Sequence, residues 1–194
     1  MFSLIVGGAA SGKSAYAENL CLSLEGRRVY VATMEPWDEE CRARIARHRA
    51  RRADFGFQML ECYRDLAGLV VPAQANVLLD CLGNLIANEL YGGDDTINGP
   101  AEPINPTLIR HVIERVTAGA LRLSAQCQNL TIVTNEVCLA GTRYEGDTLP
   151  YLHTLARTNR ALAAKADYVC EVACGLPNVL KGAVPSGGVS PCMC

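Results

Sequence analysis

Residues 7–14 of the chain read Gly7-Gly8-Ala9-Ala10-Ser11-Gly12-Lys13-Ser14, a G-x-x-x-x-G-K-S run whose residue types answer to the chemistry of a nucleoside triphosphate. Backbone N–H groups of a glycine-rich turn can approach phosphate oxygens closely because no side chains stand in the way. Lys13 is spaced to reach the β- and γ-phosphates, and the Ser14 hydroxyl to ligate Mg2+. A carboxylate fits the same site. Asp80 closes the apolar run Asn76-Val77-Leu78-Leu79-Asp80-Cys81. At the carboxyl end of a strand it either completes the metal site that Ser14 begins or caps the helix that starts at Leu82.

A second constellation is Arg42-Ala43-Arg44-Ile45-Ala46-Arg47-His48-Arg49-Ala50-Arg51-Arg52. On a helix, Arg44 and His48 share one face, with Arg51 next along it. Three readings are open: a solvated basic face, a nucleic-acid patch, or a histidine held among guanidinium groups. In the last, the guanidinium neighbours disfavour the imidazolium, so the imidazole stays neutral and nucleophilic near neutral pH. The same groups would offset charge on a phosphoryl transition state and on departing pyrophosphate. The patch reading is weakened by a net charge of −2 and by the lack of interleaved aromatics.

Thr134-Asn135-Glu136 follows an apolar strand and is read either as a structural turn or as a site for a substrate hydroxyl or amide. His111 and His153 lie in helical stretches without a surrounding cluster and read as ordinary helix histidines. The ten cysteines lack paired C-x-x-C spacing, so most are expected to be small buried apolar residues. Cys170 with Cys174, and Cys192 with Cys194, are a weak soft-metal signal.

The elements that must position these residues alternate. Strands are expected at Phe2–Val6, Arg28–Thr33, Phe57–Glu61, Asn76–Cys81, Leu130–Thr134 and Asp167–Ala173. Helices are expected from Ser14, over Glu39 to about Arg52, Tyr63–Leu69, Leu82–Leu90, Pro106 to about Ala125, and Thr148–Ala166. The Gly-, Pro- and Asp-rich stretch from Gly92 to Pro106 reads as a surface loop. Strands separated by helices of this length imply parallel crossovers. The expected architecture is therefore a three-layer α/β P-loop NTPase fold with a mainly parallel sheet flanked by helices. One domain over residues 1–181 is expected, followed by a disordered tail over 182–194.

Hydrophobic residues at 49% and charged residues at 20% match a globular chain and exclude disorder or a fibre. Broad nucleic-acid or membrane-surface binding is disfavoured by the charge, and no apolar run reaches membrane-spanning length. No secretory leader is read at Met1, so a cytoplasmic location is expected.

Taken in order, several segments resemble the bifunctional adenosylcobinamide kinase / adenosylcobinamide-phosphate guanylyltransferase family of cobalamin biosynthesis. They are the phosphate loop, Val31-Ala32-Thr33, Arg44-Ile45-Ala46-Arg47-His48-Arg49, Leu60-Glu61-Cys62, Leu79-Asp80-Cys81-Leu82, Thr134-Asn135-Glu136-Val137 and Asn159 through Asp167. The resemblance spans residues 3 to 173. It implies a RecA-like sheet, a homotrimer and two reactions. In one, ATP or GTP gives its γ-phosphoryl to the aminopropanol hydroxyl of adenosylcobinamide. In the other, GTP loses pyrophosphate to leave GMP on a histidine, and adenosylcobinamide phosphate then takes it to become adenosylcobinamide-GDP. The guanylylated histidine maps onto His48. The nucleotide contacts map onto Gly7, Gly8, Ala9, Ala10, Ser11, Gly12, Lys13, Ser14, Ala32, Thr33, Met34, Arg49, Ala50, Arg51, Arg52, Glu61 and Asp80. Two positions depart from the family pattern: Cys138 stands where glycine follows T-N-E-V, and Leu152-His153 stands where an Arg-Asp pair is usual. The alternatives are a monofunctional small-molecule kinase of the same fold and a RecA-like nucleotide-driven switch.

Overall fold

The computed structural model describes residues 1–36, 39, 42–43, 45–46, 55–92, 104–137, 146 and 148–185. Among these, seven strands form one sheet: β1 (Phe2–Gly7), β2 (Arg28–Ala32), β3 (Phe57–Glu61), β4 (Asn76–Asp80), β5 (Asn129–Asn135), β6 (Tyr168–Ala173) and β7 (Leu176–Lys181). Their order is β3-β2-β4-β5-β1-β6-β7, parallel throughout except β7, which runs antiparallel to β6. β5 thus separates the phosphate-loop strand β1 from β4 and its Asp80.

Both faces of the sheet are buried, because successive side chains of each strand point to opposite faces and are apolar on both. Ile5, Tyr30, Leu78, Val133 and Cys170 point to one face, against Ala17, Leu20 and Cys21 of α1 (Lys13–Ser23). Leu4, Val29, Val31, Leu79 and Ile132 point to the other. They meet α2 (Leu82–Tyr91), α3 (Pro106–Gln126) and α4 (Thr148–Lys165). α3 starts where its sequence dictates: Asn105 Oδ1 accepts from the Thr107 and Leu108 amides, and Pro106 occupies the first turn. Its buried stripe is Val112, Val116, Gly119, Ala120 and Leu123. Three layers result, as the alternating pattern predicts.

The structure corrects some of the expected elements. The helix expected over Tyr63–Leu69 is a single 3-10 turn, Leu66–Gly68, because Asp65 takes a left-handed φ of 47° that stops a helix from forming before it. β5 runs one residue beyond each expected end, from Asn129 to Asn135, so Asn135 is a strand residue as well. β7 was not expected. Its Pro177 weakens a strand signal but is tolerated on a sheet edge. Of the helix expected over Glu39–Arg52, Glu39, Arg42, Ala43, Ile45 and Ala46 are helical, and the rest lies outside the described residues. So do residues 93–103 of the expected loop and 186–194 of the expected tail. Among the described residues, no helix is long and apolar enough to cross a membrane.

Candidate nucleotide-binding site

The phosphate loop runs from the end of β1 into α1, and three of its features are forced by its sequence. A Cβ on Gly7 would stand 2.5 Å from Ser11 Oγ and 2.6 Å from the Val172 carbonyl oxygen, so only glycine fits where the loop leaves the sheet. Gly12 caps α1 with a φ of 91°, the left-handed region that favours glycine. Lys13 is buried, and its Nζ donates to the Gly8 carbonyl at 2.9 Å, folding the ammonium back across the loop. Ser11 Oγ is buried and has no hydrogen-bond partner among the described residues, a donor inside the loop that is left over for a ligand oxygen. Ala9 and Ala10 at the tip are exposed.

Two neighbours hold the loop in place. The Glu136 amide, just past β5, donates to the Gly7 carbonyl at 3.0 Å. From the other side, the Gly175 amide donates to the Ser11 carbonyl at 2.8 Å. Gly175 and Cys174, both at positive φ, make the tight turn between β6 and β7, so that hairpin braces the phosphate loop.

Asp80 faces this loop from β4. Its Oδ1 accepts from Ser14 Oγ at 3.5 Å, a long contact, and its Oδ2 accepts from the Tyr30 hydroxyl at 3.0 Å. Tyr30 comes up from β2, where it is buried. Asp80 is not the cap of α2. That position belongs to Cys81, which makes no side-chain cap hydrogen bond. Beside it, Thr33 clamps the same turn: its hydroxyl donates to the Cys81 carbonyl at 2.7 Å and accepts from the Cys81 amide at 2.8 Å. Buried Asn88 of α2 donates from Nδ2 to the Thr33 carbonyl at 2.9 Å and the Tyr63 carbonyl at 3.0 Å. In register, Ala32 of β2 pairs with Glu61 of β3 on one side and Asp80 of β4 on the other. Gly7 to Ser14, Ala32, Thr33, Met34, Glu61 and Asp80 therefore gather at the carboxyl edge of the sheet, where ligands bind in open α/β folds. Arg44, His48, Arg49, Ala50, Arg51 and Arg52 lie outside the described residues.

Four of the described thiols are held in the protonated form. Burial pushes Cys21 up to about 12 and Cys62 and Cys127 to about 11. Cys81 is likewise pushed to about 11 by burial and then by the Asp80 charge. Cys170 is buried in β6 while Cys174 is exposed on the turn, and among the described residues no group of three or more His, Cys, Asp or Glu is placed to hold a metal. His111 and His153 are exposed, and Leu152 is on the buried face of α4. Tyr30, Asn88 and the Cys174-Gly175 turn escaped the sequence reading. Tyr30 carries a signal that could have found it, a polar hydroxyl in a strand otherwise apolar.

A glycine-rich loop between the first strand and first helix of a parallel sheet, faced by a carboxylate two strands away, defines the phosphate-loop α/β class of RecA-like type. Comparison with known proteins narrows this. The sequence model described as "Cobinamide kinase / cobinamide phosphate guanyltransferase" (CobU) matches residues 3–180. The bifunctional adenosylcobalamin biosynthesis protein CobU of Salmonella typhimurium is 32% identical over 191 residues, covering 93% of this chain and 100% of that protein. CobU of Escherichia coli is 32% identical over 187 residues, with 93% and 100% covered. CobP of Pseudomonas aeruginosa is 31% identical over 185 residues, with 94% and 98% covered. The chain belongs to the cobinamide kinase / cobinamide phosphate guanyltransferase family, and is thereby a transferase with both activities in adenosylcobalamin biosynthesis.

Proposed function

We propose that both activities use one nucleotide site. In the kinase reaction the γ-phosphoryl of ATP or GTP passes to the aminopropanol hydroxyl of adenosylcobinamide, and the nucleoside diphosphate leaves. In the second reaction a ring nitrogen of His48 attacks the α-phosphorus of GTP, pyrophosphate leaves, and GMP stays as a phosphoramidate. A phosphate oxygen of adenosylcobinamide phosphate then attacks that phosphorus, releasing His48 and adenosylcobinamide-GDP. A neutral imidazole suits both steps, attacking phosphorus well and leaving well.

The observation that carries this reading is the pairing of Ser14 with Asp80 across a loop that already holds Lys13 inward. A hydroxyl and a carboxylate 3.5 Å apart are hard oxygen donors of the kind Mg2+ takes, with substrate phosphates and water supplying the rest of its shell. When bound between Ser14 and Asp80, Mg2+ would offset the negative charge of the phosphates. Lys13 and the amides of Gly8 to Ser14 cradle the phosphates, and the leftover Ser11 hydroxyl adds a donor. Ala32, Thr33, Met34 and Glu61, at the neighbouring strand ends, contact the nucleoside. Arg49, Ala50, Arg51 and Arg52 contact its phosphates beside His48.

The protein acts in the cytoplasm, on a corrinoid and not on nucleic acid, as a homotrimer. In support of assembly, β7 carries exposed Leu176, Val179 and Leu180 on the sheet edge. The functional reading is tested with two labels. γ-Labelled GTP is expected to label cobinamide, and α-labelled GTP to label the protein and then, after addition of cobinamide phosphate, the corrinoid. Transfer of γ-label with no protein-bound GMP would instead identify a monofunctional kinase.

A further inference from the structure

Beside the phosphate loop, on the face of the sheet opposite α1, three elements bring neutral polar groups together. Asn135 ends β5 and is the register partner of Gly7, so its backbone lies one strand spacing, about 4.8 Å, from the start of the loop. Its backbone is fixed from α4: Asn159 donates from Nδ2 to the Asn135 carbonyl at 3.1 Å, and Thr134 donates to Asn159 Oδ1 at 2.7 Å. Its side chain and the hydroxyl of Tyr151, in the first turns of α4, flank the same point beside α2. Gly83, in the first turn of α2, lets them meet there. A Cβ on Gly83 would lie 2.8 Å from the Tyr151 hydroxyl and 3.2 Å from Asn135 Nδ2.

We infer that Tyr151 and Asn135, meeting over Gly83, bind the amide- and hydroxyl-bearing arm of the corrinoid next to the phosphate being transferred. The inference rests on the functional reading above and deepens it. The pair's chemistry selects the ligand. Tyr151 offers a phenolic O–H donor and its oxygen as acceptor, and Asn135 offers an amide N–H donor and an amide oxygen acceptor. Neither group is charged, which suits a neutral alcohol or amide and not a carboxylate. Burial, then Cys81 and Tyr91, push the Tyr151 phenol up to about 12, so it stays protonated through the working pH range and binds without taking up a proton. Both residues are half-buried, which leaves the pair reachable from the carboxyl edge of the sheet.

Two variants of the full chain test this, Tyr151→Phe and Gly83→Ala. The first removes only the hydroxyl; the second places a methyl where the hydroxyl stands. For both, the KM for adenosylcobinamide in the kinase reaction should rise about three- to tenfold, the loss of one neutral hydrogen bond, with kcat within about twofold. Binding of adenosylcobinamide measured by equilibrium dialysis should weaken by the same factor. Protein-bound GMP formed from GTP alone needs no corrinoid and should be unchanged. An unchanged KM and dialysis constant in Tyr151→Phe would overturn the assignment. So would an equal fall in protein-bound GMP, since the pair would then serve the nucleotide. Wild-type protein that phosphorylates no corrinoid would overturn the functional reading itself, and this assignment with it.

Discussion

Asp80 at the end of β4 and Ser14 at the start of α1 meet across the strand between them, Oδ1 to Oγ at 3.5 Å, with the Tyr30 hydroxyl holding the other carboxylate oxygen at 3.0 Å. Tyr30 leaves Asp80 little freedom to rotate, so the carboxylate is aimed at the serine before any ligand arrives. Preorganised charge of this kind costs no rearrangement when the phosphates bind.

Asp80→Asn keeps the shape and removes the charge. The kinase rate at saturating nucleotide should fall about 100-fold and demand more Mg2+, while the thermal midpoint shifts little. Tyr30→Phe should raise the Mg2+ requirement with a smaller loss of rate. The check is a Mg2+ titration of initial rates for the three proteins. An Asp80→Asn enzyme within threefold of wild type would remove Asp80 from the proposed metal site.

Gly7→Ala drives a methyl against Ser11 Oγ and the Val172 carbonyl. The backbone carbonyl cannot swing aside, so the loop itself must shift. The expected cost is about 1–3 kcal/mol of stability, with a higher KM for GTP. Urea unfolding and GTP-dependent rates measured on the same preparation check it; the two losses should appear together.

Alkaline pH should destabilise the fold through its buried thiols. Cys21 is raised from 9.0 to about 12, and Cys62, Cys81 and Cys127 to about 11. The folded state keeps protons that the unfolded chain releases. Stability is therefore fully present below pH 9 and declines as pH rises from there through about 11 to 12. Denaturation at stepped pH should show this decline, and Cys21→Ala should flatten it. A stability curve level from pH 8 to 11 would contradict the burial of Cys21 and Cys62 and the partial burial of Cys81 and Cys127.

Most of the fold was legible because both of its signals are local. Apolar runs such as Asn76 to Leu79, and helix starts such as Asn105-Pro106, announce themselves within a few residues. The placing of Asp80 beside the loop was legible too, since a carboxylate at the carboxyl end of a central strand falls at the same edge of the sheet as a glycine-rich loop after β1. What the sequence hid depends on contacts between distant segments. Nothing near Cys174-Gly175 says that this turn braces Ser11, 163 to 164 positions earlier in the chain. β7 is held by pairing with β6 and not by its own apolar pattern. Likewise, Tyr151 reads as one more helix residue until Asn135 and Gly83 are placed against it. The short helix expected after Tyr63 failed for a backbone reason, the left-handed Asp65.

The most direct test of the account is whether GMP becomes attached to His48. The wild-type protein, incubated with α-labelled GTP and Mg2+, should carry label that is lost in acid, kept in base, and passed to cobinamide phosphate on its addition. His48→Ala should carry none while still transferring γ-phosphate to adenosylcobinamide. Label that survives in His48→Ala would contradict the assignment.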